Sequence, residues 1–307
     1  MTPIPPVLED DVKSRDASEP VVLARYAGPV PDFVISVSYG NDSLAMIQWA
    51  HENSLDAFGN VVVAYCDTGW AAPGWERRIE LGEAFARGLG FHTVNVKSIG
   101  MQELVRMRKG FPGNGLQFCT AHLKGVPYLM WLDEVDPEFK ATTLIGKRRA
   151  ESAERANTPE YVEASDYHGG RRLWHPLFEH DDAQRNALLA RAGMVPMPAG
   201  LPLSKHDRLY VLPHRSLECN PCVNANRGDF LRLTPYEMAR VRDLEVEIGK
   251  PMFRPERFNA VGIYGVVMWA RHGKRHDADP SDVAKYSLKD TINEPASGCA
   301  AEFGCGL

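Results

Sequence analysis

The sequence predicts an α/β fold: a parallel sheet flanked by helices, followed by a loop-rich C-terminal region organised by cysteines. Three observations carry this reading. Short apolar runs recur at Phe33-Val-Ile-Ser-Val37, Asn60-Val-Val-Val-Ala-Tyr65 and Phe91-His-Thr-Val-Asn-Val96. Helical periodicities follow each of them, over Leu44 to His51, Trp75 to Leu89 and Met101 to Arg108. Strand and helix alternating at this spacing require right-handed crossovers, and so a parallel sheet. Beyond Gly193 the texture changes, with Pro196, Pro198, Pro202 and Pro213 punctuating a stretch poor in regular elements.

Residues 1–30 combine several prolines with the acidic run Glu9-Asp10-Asp11 and lack apolar periodicity, which reads as an extended leader. Residues 31–193 hold the α/β domain. Its second helix places Ile79, Phe85 and Leu89 on one face. Further strands are expected at Ala141–Ile145 and around Leu173–Pro176. A helix over Asp181–Ala192 starts acidic and stops before Gly193. Residues 194–307 form the C-terminal region, with a helix from about Pro235 to Ile248 and a polar tail.

Composition bounds the function. The 307 residues are 44% hydrophobic and 24% charged, which excludes collagen-like, mucin-like and wholly disordered chains. Net charge is −5, so no global positive field draws the protein to nucleic acid. The longest apolar stretch, Ala260 to Ala270, falls short of the roughly 18–20 residues a membrane span needs. The segment Met1-Thr-Pro-Ile-Pro-Pro has neither the basic nor the apolar part of a secretory signal. A cytoplasmic, reducing location is expected, in which the six cysteines serve as thiols or metal ligands.

The most informative segment is Ser36-Val-Ser38-Tyr39-Gly40-Asn41-Asp42-Ser43, between the first strand and the first helix. Backbone N–H groups at a helix N-terminus and its dipole attract anions, and Gly40 permits close approach of a phosphate. Ser38 and Ser43 add hydroxyls, and Asp42 is placed either to cap the helix or to hold magnesium. The alternative is an ordinary strand–turn–helix with Asp42 or Ser43 as N-cap. The loop is neither a Walker A motif nor a Gly-x-Gly-x-x-Gly dinucleotide loop.

This loop resembles the PP-loop, Ser-Gly-Gly-x-Asp-Ser, of ATP pyrophosphatases, with Tyr39 where the family has its first glycine. The resemblance extends along the chain. Cys66-Asp67-Thr68-Gly69 is similar to the Asp-Thr-Gly of the phosphoadenosine-phosphosulfate (PAPS) reductase branch. Phe118-Cys119-Thr120-x-x-Leu123-Lys124 is similar to the Cys-Thr-x-x-Leu-Lys of the same branch, including its DNA-phosphorothioation members. Gly146-Lys-Arg148-Arg149-x-Glu151-Ser152-x-x-Arg155 resembles Gly-x-Arg-x-x-Glu-Ser-x-x-Arg, and Trp174-His-Pro176-Leu177 follows it as Trp-x-Pro-Leu. These five ordered matches imply an adenine nucleotide alpha hydrolase-type, Rossmann-like fold that binds ATP at the C-terminal ends of the strands. They also imply attack of a substrate oxygen on the α-phosphorus, giving an adenylylated intermediate and pyrophosphate.

On that resemblance the nucleotide is held by Ser36, Ser38, Tyr39, Gly40, Asn41, Asp42, Ser43, Asp67, Thr68, Gly69, Gly146 and Arg149. Asp42, Lys124, Arg148 and Arg155 carry the chemistry with Mg²⁺. The cations also make chemical sense by themselves, because charge concentrates on departing pyrophosphate. A salt bridge or a solvated face is the other reading of each arginine, as for Glu151 with Arg155. If helical, the segment places Arg148 and Arg155 on one face. Trp70 is read as a wall of the adenine pocket.

Glu218-Cys219-Asn-Pro-Cys222 is a Cys-x-x-Cys on a proline turn, and Cys299 and Cys305 form a second pair among glycines. Four thiolates suit a [4Fe–4S] cluster or Zn²⁺, and a site without metal stays open. The resemblance favours iron–sulfur, since sulfur-handling PP-loop enzymes carry such clusters. Cys119 either replaces a tail cysteine as ligand or stands apart. The tail Gly304-Cys305-Gly306-Leu307 is faintly similar to the nucleophile-bearing end of the reductases, but lacks its glutamate and histidine.

The expected function is therefore an ATP pyrophosphatase that adenylylates a substrate for sulfur transfer. A cysteine desulfurase would supply sulfur, and DNA phosphorothioate modification, with partner proteins holding the nucleic acid, is its most specific form. A PAPS (sulfonucleotide) reductase and a non-catalytic nucleotide-binding interaction subunit are the rivals. No membrane partner is expected.

Overall fold

The computed structural model describes residues 26–113, 117–151, 155–165, 168–253 and 262–272. Cys299, Cys305, the leader before Tyr26 and the polar tail lie outside the described residues.

The central strand β1 (Phe33–Val37) is almost wholly buried, as its continuous apolar run requires. It pairs in parallel with β2 (Val61–Asp67) on one side and β4 (Thr142–Ile145) on the other. β3 (His92–Lys97) extends the sheet beyond β2, and β6 (Arg171–Trp174) extends it beyond β4. β5 (Tyr161–Ser165) closes that edge antiparallel to β6, giving the order β3-β2-β1-β4-β6-β5. The chain builds outward from β1 in both directions, so the loops leaving β1 and β4 diverge. A crevice opens at such a switch point, beyond the carboxyl ends of the strands.

Alternate side chains of β1 and β2 pack on opposite faces. On one face Ile35, Val37, Val63 and Tyr65 meet α1 (Asn41–Glu52), α2 (Trp75–Gly88) and α5 (Asp182–Arg191) through Leu44, Ile47, Ala86, Leu188 and Leu189. On the other, Val34, Val62 and Ala64 meet Tyr128, Trp131 and Leu132. These three belong to a helical stretch, α4, over 118–135. Phe118–Thr120 and Val126–Val135 are α-helical, and Ala121–Gly125 between them is a π-helical turn.

Described residues beyond 194 pack onto the sheet domain. Phe230 of α6 (Arg227–Leu231), Val241 and Leu244 of α7 (Pro235–Ile248) and Ile263 and Val266 of α8 (Gly262–His272) share one core with Trp70, Leu123, and with Met101 and Leu104 of α3 (Met101–Arg108). A short parallel pair, β7 (Val195–Pro196) and β8 (Tyr210–Val211), lies between. Among the described residues no helix is long and apolar enough to cross a membrane.

The expected elements are observed within a few residues at each end. Two departures matter. The segment holding Arg148 and Arg155 is not an α-helix: Arg149–Glu151 and Arg155–Asn157 are separate 3₁₀ turns. Trp70 is fully buried, its Nε1 donating to the Pro221 carbonyl at 3.1 Å, so it belongs to the core and walls no pocket.

Candidate active site

A cleft of about 900 Å³ lies at the carboxyl ends of β1 and β4. That volume falls within the roughly 300–1,000 Å³ of small-molecule sites.

Its floor is the turn from β1 into α1. Ser38, Gly40, Asn41, Asp42 and Ser43 all line the cleft. Gly40 is the N-cap residue of α1 with no side-chain cap, so neither Asp42 nor Ser43 serves as N-cap and the first-turn amides keep their anion-binding character. The turn is braced locally, with the Gly40 amide donating to Ser38 Oγ and Ser43 Oγ donating to the Gly40 carbonyl, both at 3.2 Å. A Cβ at Gly40 would stand 3.0 Å from Ser216 Cβ, which explains the glycine by close approach. Asn41 Nδ2 donates to the Leu212 carbonyl and its Oδ1 accepts from the Leu212 amide, each at 2.9 Å. The loop is thereby tied to residues 212–216 across the cleft. Ser36 is buried within β1, and Tyr39 turns its ring into the core; neither lines the cleft.

One wall is cationic. Arg148 is 3% exposed. Its Nε donates to Asp42 Oδ1 at 2.6 Å and its Nη2 to Asp182 Oδ1 at 2.9 Å. Arg185, on α5, donates to the same Asp42 oxygen at 3.3 Å. Burial opposes the charge on Arg148, but Asp42 beside it, with Glu151 and Asp182, outweighs this and raises its pKa above the ordinary guanidinium value. Arg155 lines the cleft and pairs with Glu151. Gly146, from the turn after β4, lines it as well. Arg149 does not: it points outward to Glu179, with its guanidinium 4.4 Å from the centre of the Phe178 ring.

The opposite wall is built where the loop after β2 meets residues 217–220. The Ala72 amide donates to the Leu217 carbonyl, the Asn220 amide to the Trp70 carbonyl, and Thr68 Oγ1 to the Glu218 carbonyl. Thr68 lines the cleft, whereas Asp67 and Gly69 lie outside it, the Gly69 amide donating to Asp67 Oδ1. The pairing delivers Cys219 and Cys222 to the cleft, and α4 delivers Cys119 and Lys124. Lys124 Nζ donates to Glu218 Oε1 at 2.7 Å in a buried ion pair. Cys222 Sγ accepts from Arg215 Nη2 at 3.6 Å and from the Asn224 amide at 3.5 Å. Cys66 lies apart in the sheet, where burial pushes its thiol up to about 12.

Donor chemistry decides what this wall suits. Three soft sulfurs on one cleft match iron–sulfur or zinc ligation in kind. Among the described residues, however, no group of three His, Cys, Asp or Glu stands in metal-holding geometry. Asp42 Oδ1 accepts from both Arg148 and Arg185.

Arg185, Glu218 and the 212–216 segment are site residues that sequence reasoning missed. Arg185 was within reach: it is the fourth residue of a helix announced by the Asp181/Gln184 capping box. Glu218 and Leu212 reach the site only through tertiary pairing, and no local pattern marks them.

Among solved structures, similar ones include the PAPS reductase from Candida auris in its phosphate complex, 17% identical over 53% of this chain and 73% of that one, TM-score 0.37. NMN synthetase from Francisella tularensis is 10% identical over 84% and 82%, TM-score 0.39. The U34-tRNA thiolase NcsA from Methanococcus maripaludis with its [4Fe-4S] cluster is 14% identical over 90% and 83%, TM-score 0.41. Among curated proteins none matches the chain. Residues 32–199, which hold the six-stranded sheet and its phosphate-type loop, match the phosphoadenosine phosphosulfate reductase domain over more than half of the sequence, and the chain belongs to that family.

Proposed function

We propose that this protein binds ATP in the cleft and adenylylates an acceptor so that sulfur can be delivered to it. One observation supports the reading above others. The Gly40–Ser43 loop, the cations Lys124, Arg148 and Arg155, and the thiols of Cys119, Cys219 and Cys222 line a single cavity. Nucleotide activation and sulfur handling are thereby brought within one substrate's reach.

The loop amides, with Ser38 and Ser43, would hold the phosphates. An acceptor oxygen attacks the α-phosphorus, the bond from that phosphorus to the α–β bridging oxygen breaks, and pyrophosphate leaves with the electron pair. Arg148 and Arg155 neutralise the growing charge once phosphate oxygens displace their carboxylate partners. Magnesium would arrive on the triphosphate as part of the substrate. The outer sulfur of a cysteine desulfurase's persulfide then attacks the activated atom and displaces AMP. Thiols of an external dithiol reductant cleave the resulting S–S bond, leaving sulfur on the acceptor and the electrons' source as a disulfide. Cys119, Cys219 and Cys222 would hold a [4Fe–4S] cluster or zinc, with Cys299 or Cys305 as further ligands. A cluster held there would supply sulfur-compatible iron chemistry, whereas zinc would organise structure alone. DNA phosphorothioate modification through partner proteins is the most specific form, supported by the Cys119-to-Lys124 motif beside the Cys-x-x-Cys.

The test is pyrophosphate release from ATP and Mg²⁺ by the full chain. Release is expected, and Asp42→Ala should lower it at least tenfold, since it unseats both arginines from the loop. Sulfite released from PAPS by an added dithiol would replace this reading with a sulfonucleotide reductase. Nucleotide binding without either product would make the protein a non-catalytic binding subunit.

A further inference from the structure

Tyr39 has φ 56, the left-handed region that a side chain disfavours, at the position where the PP-loop pattern has glycine. Its ring is fully buried and lies 5.7 Å from the Tyr65 ring, centre to centre. It fills the space opposite Gly82 of α2, where an added Cβ would collide with it. Four residues earlier on that helix face, Arg78 Nε donates to the Tyr39 carbonyl oxygen at 2.6 Å. Arg78 is fully buried and does not line the cleft, so the carbonyl is held on the core side of the loop.

An arginine carries five N–H donors, yet both Nη atoms of Arg78 are buried without a hydrogen-bond partner. Burial is the one influence on its pKa, pulling it down to about 9, so the charge persists at neutral pH. The Trp75 ring, 5.5 Å from the guanidinium, offsets only part of the cost of burying this cation, which favours an anion nearby. The carbonyl it holds belongs to the same peptide unit as the Gly40 amide, at the start of the phosphate-type loop.

We propose that Arg78 is a positioning residue of the phosphate loop. It turns the Tyr39 carbonyl away from the cleft and sets a permanent positive charge at the start of the loop, while Gly82 makes room for the ring. Tyr39, Arg78 and Gly82 together replace the loop's first glycine, and the ligand class they serve is a pyrophosphate or phosphate-ester anion. A carbonyl turned outward would instead set the negative end of a peptide dipole against the phosphate. This inference rests on the cleft being the nucleotide site.

The test uses the full chain with two readouts: calorimetric affinity for inorganic pyrophosphate and for ATP, and amide hydrogen exchange of residues 38–43 without ligand. Arg78→Met should weaken pyrophosphate about tenfold, the scale of one lost charged hydrogen bond, and speed loop exchange by a similar factor. Arg78→Lys, which keeps the charge, should recover most of the affinity. Gly82→Ala should speed exchange likewise, and Gly82→Ala combined with Tyr39→Gly should restore protection. Wild-type affinity and exchange in Arg78→Met would overturn the proposal. Should the native protein bind neither pyrophosphate nor ATP, the nucleotide reading fails. The exchange data then judge the lock alone, and a Gly82→Ala defect that Tyr39→Gly does not relieve would overturn it.

Discussion

Replacing Arg148 by Met separates two roles that the ground-state geometry superimposes. The guanidinium makes charged hydrogen bonds of 2.6 Å to Asp42 and 2.9 Å to Asp182. Such bonds contribute about 1.5–3 kcal/mol each. The loss on mutation is smaller than their sum, because neither carboxylate is stranded. The Asp182 side chain is 76% exposed and rehydrates, and Asp42 keeps Arg185 at 3.3 Å. The methionine stem also retains the packing of the aliphatic part. The expected stability cost is about 1–3 kcal/mol, below the roughly 3–5 kcal/mol for breaking a sealed pair. Nucleotide affinity should fall much further, roughly 10- to 100-fold, because a charged contact to phosphate is lost where no water competes well. Urea denaturation gives the first quantity and calorimetric titration with ATP the second. ATP affinity within twofold of the native value would refute the assignment, and a stability loss above about 4 kcal/mol beside it would make Arg148 structural.

Other outcomes follow from the same geometry. Asn41→Asp loses the donor to the Leu212 carbonyl and sets a carboxylate against it, so KM for ATP should rise several-fold with kcat little changed, measurable by steady-state kinetics. Asp181→Ala removes the capping box of α5, costing about 1 kcal/mol in urea denaturation and loosening Arg185. His175 is fully buried, and burial first, then Lys147, lowers its pKa to about 4 from 6.5. The unfolded state therefore binds the extra proton: stability is full above about pH 6.5 and falls as pH drops toward 4, by on the order of 3 kcal/mol from this group. His175→Gln should flatten that part of the stability–pH curve. In the native protein at pH 8, iodoacetamide should leave Cys66 unmodified, as mass spectrometry of peptides would reveal.

The parts of the fold legible in the sequence are those whose signal is local. β1 and β2 are buried on both faces and read as continuous apolar runs, while α7 carries Thr234 as cap, proline at its start and Gly249 at its end. The stretch 118–135 escaped because Gly125 and Pro127 interrupt its helical character, and a π-helical turn shifts its face. β5 escaped as a mostly exposed edge strand with no alternation of apolar residues. At the site, Gly40, Asp42, Arg148 and Cys219 were readable from motif and order. That Tyr39 turns inward was not, because the reason is Gly82, forty-three positions on and in a helix that reads as ordinary. Arg149 was misplaced for a related reason: sequence fixes the neighbours of Arg148 but not which of two adjacent arginines faces the cleft.

The central claim is that the nucleotide and the cleft thiols share one cavity. The most direct measurement is the rate of iodoacetamide labelling of Cys219 and Cys222 in chelator-treated, metal-free protein with and without a saturating α,β-methylene analogue of ATP, read by mass spectrometry. A nucleotide over Gly40–Ser43 and Arg148 would cover both sulfurs, so labelling should slow at least tenfold, with protection saturating at the calorimetric dissociation constant. Saturable nucleotide binding that leaves both labelling rates unchanged would place the nucleotide elsewhere and contradict the account.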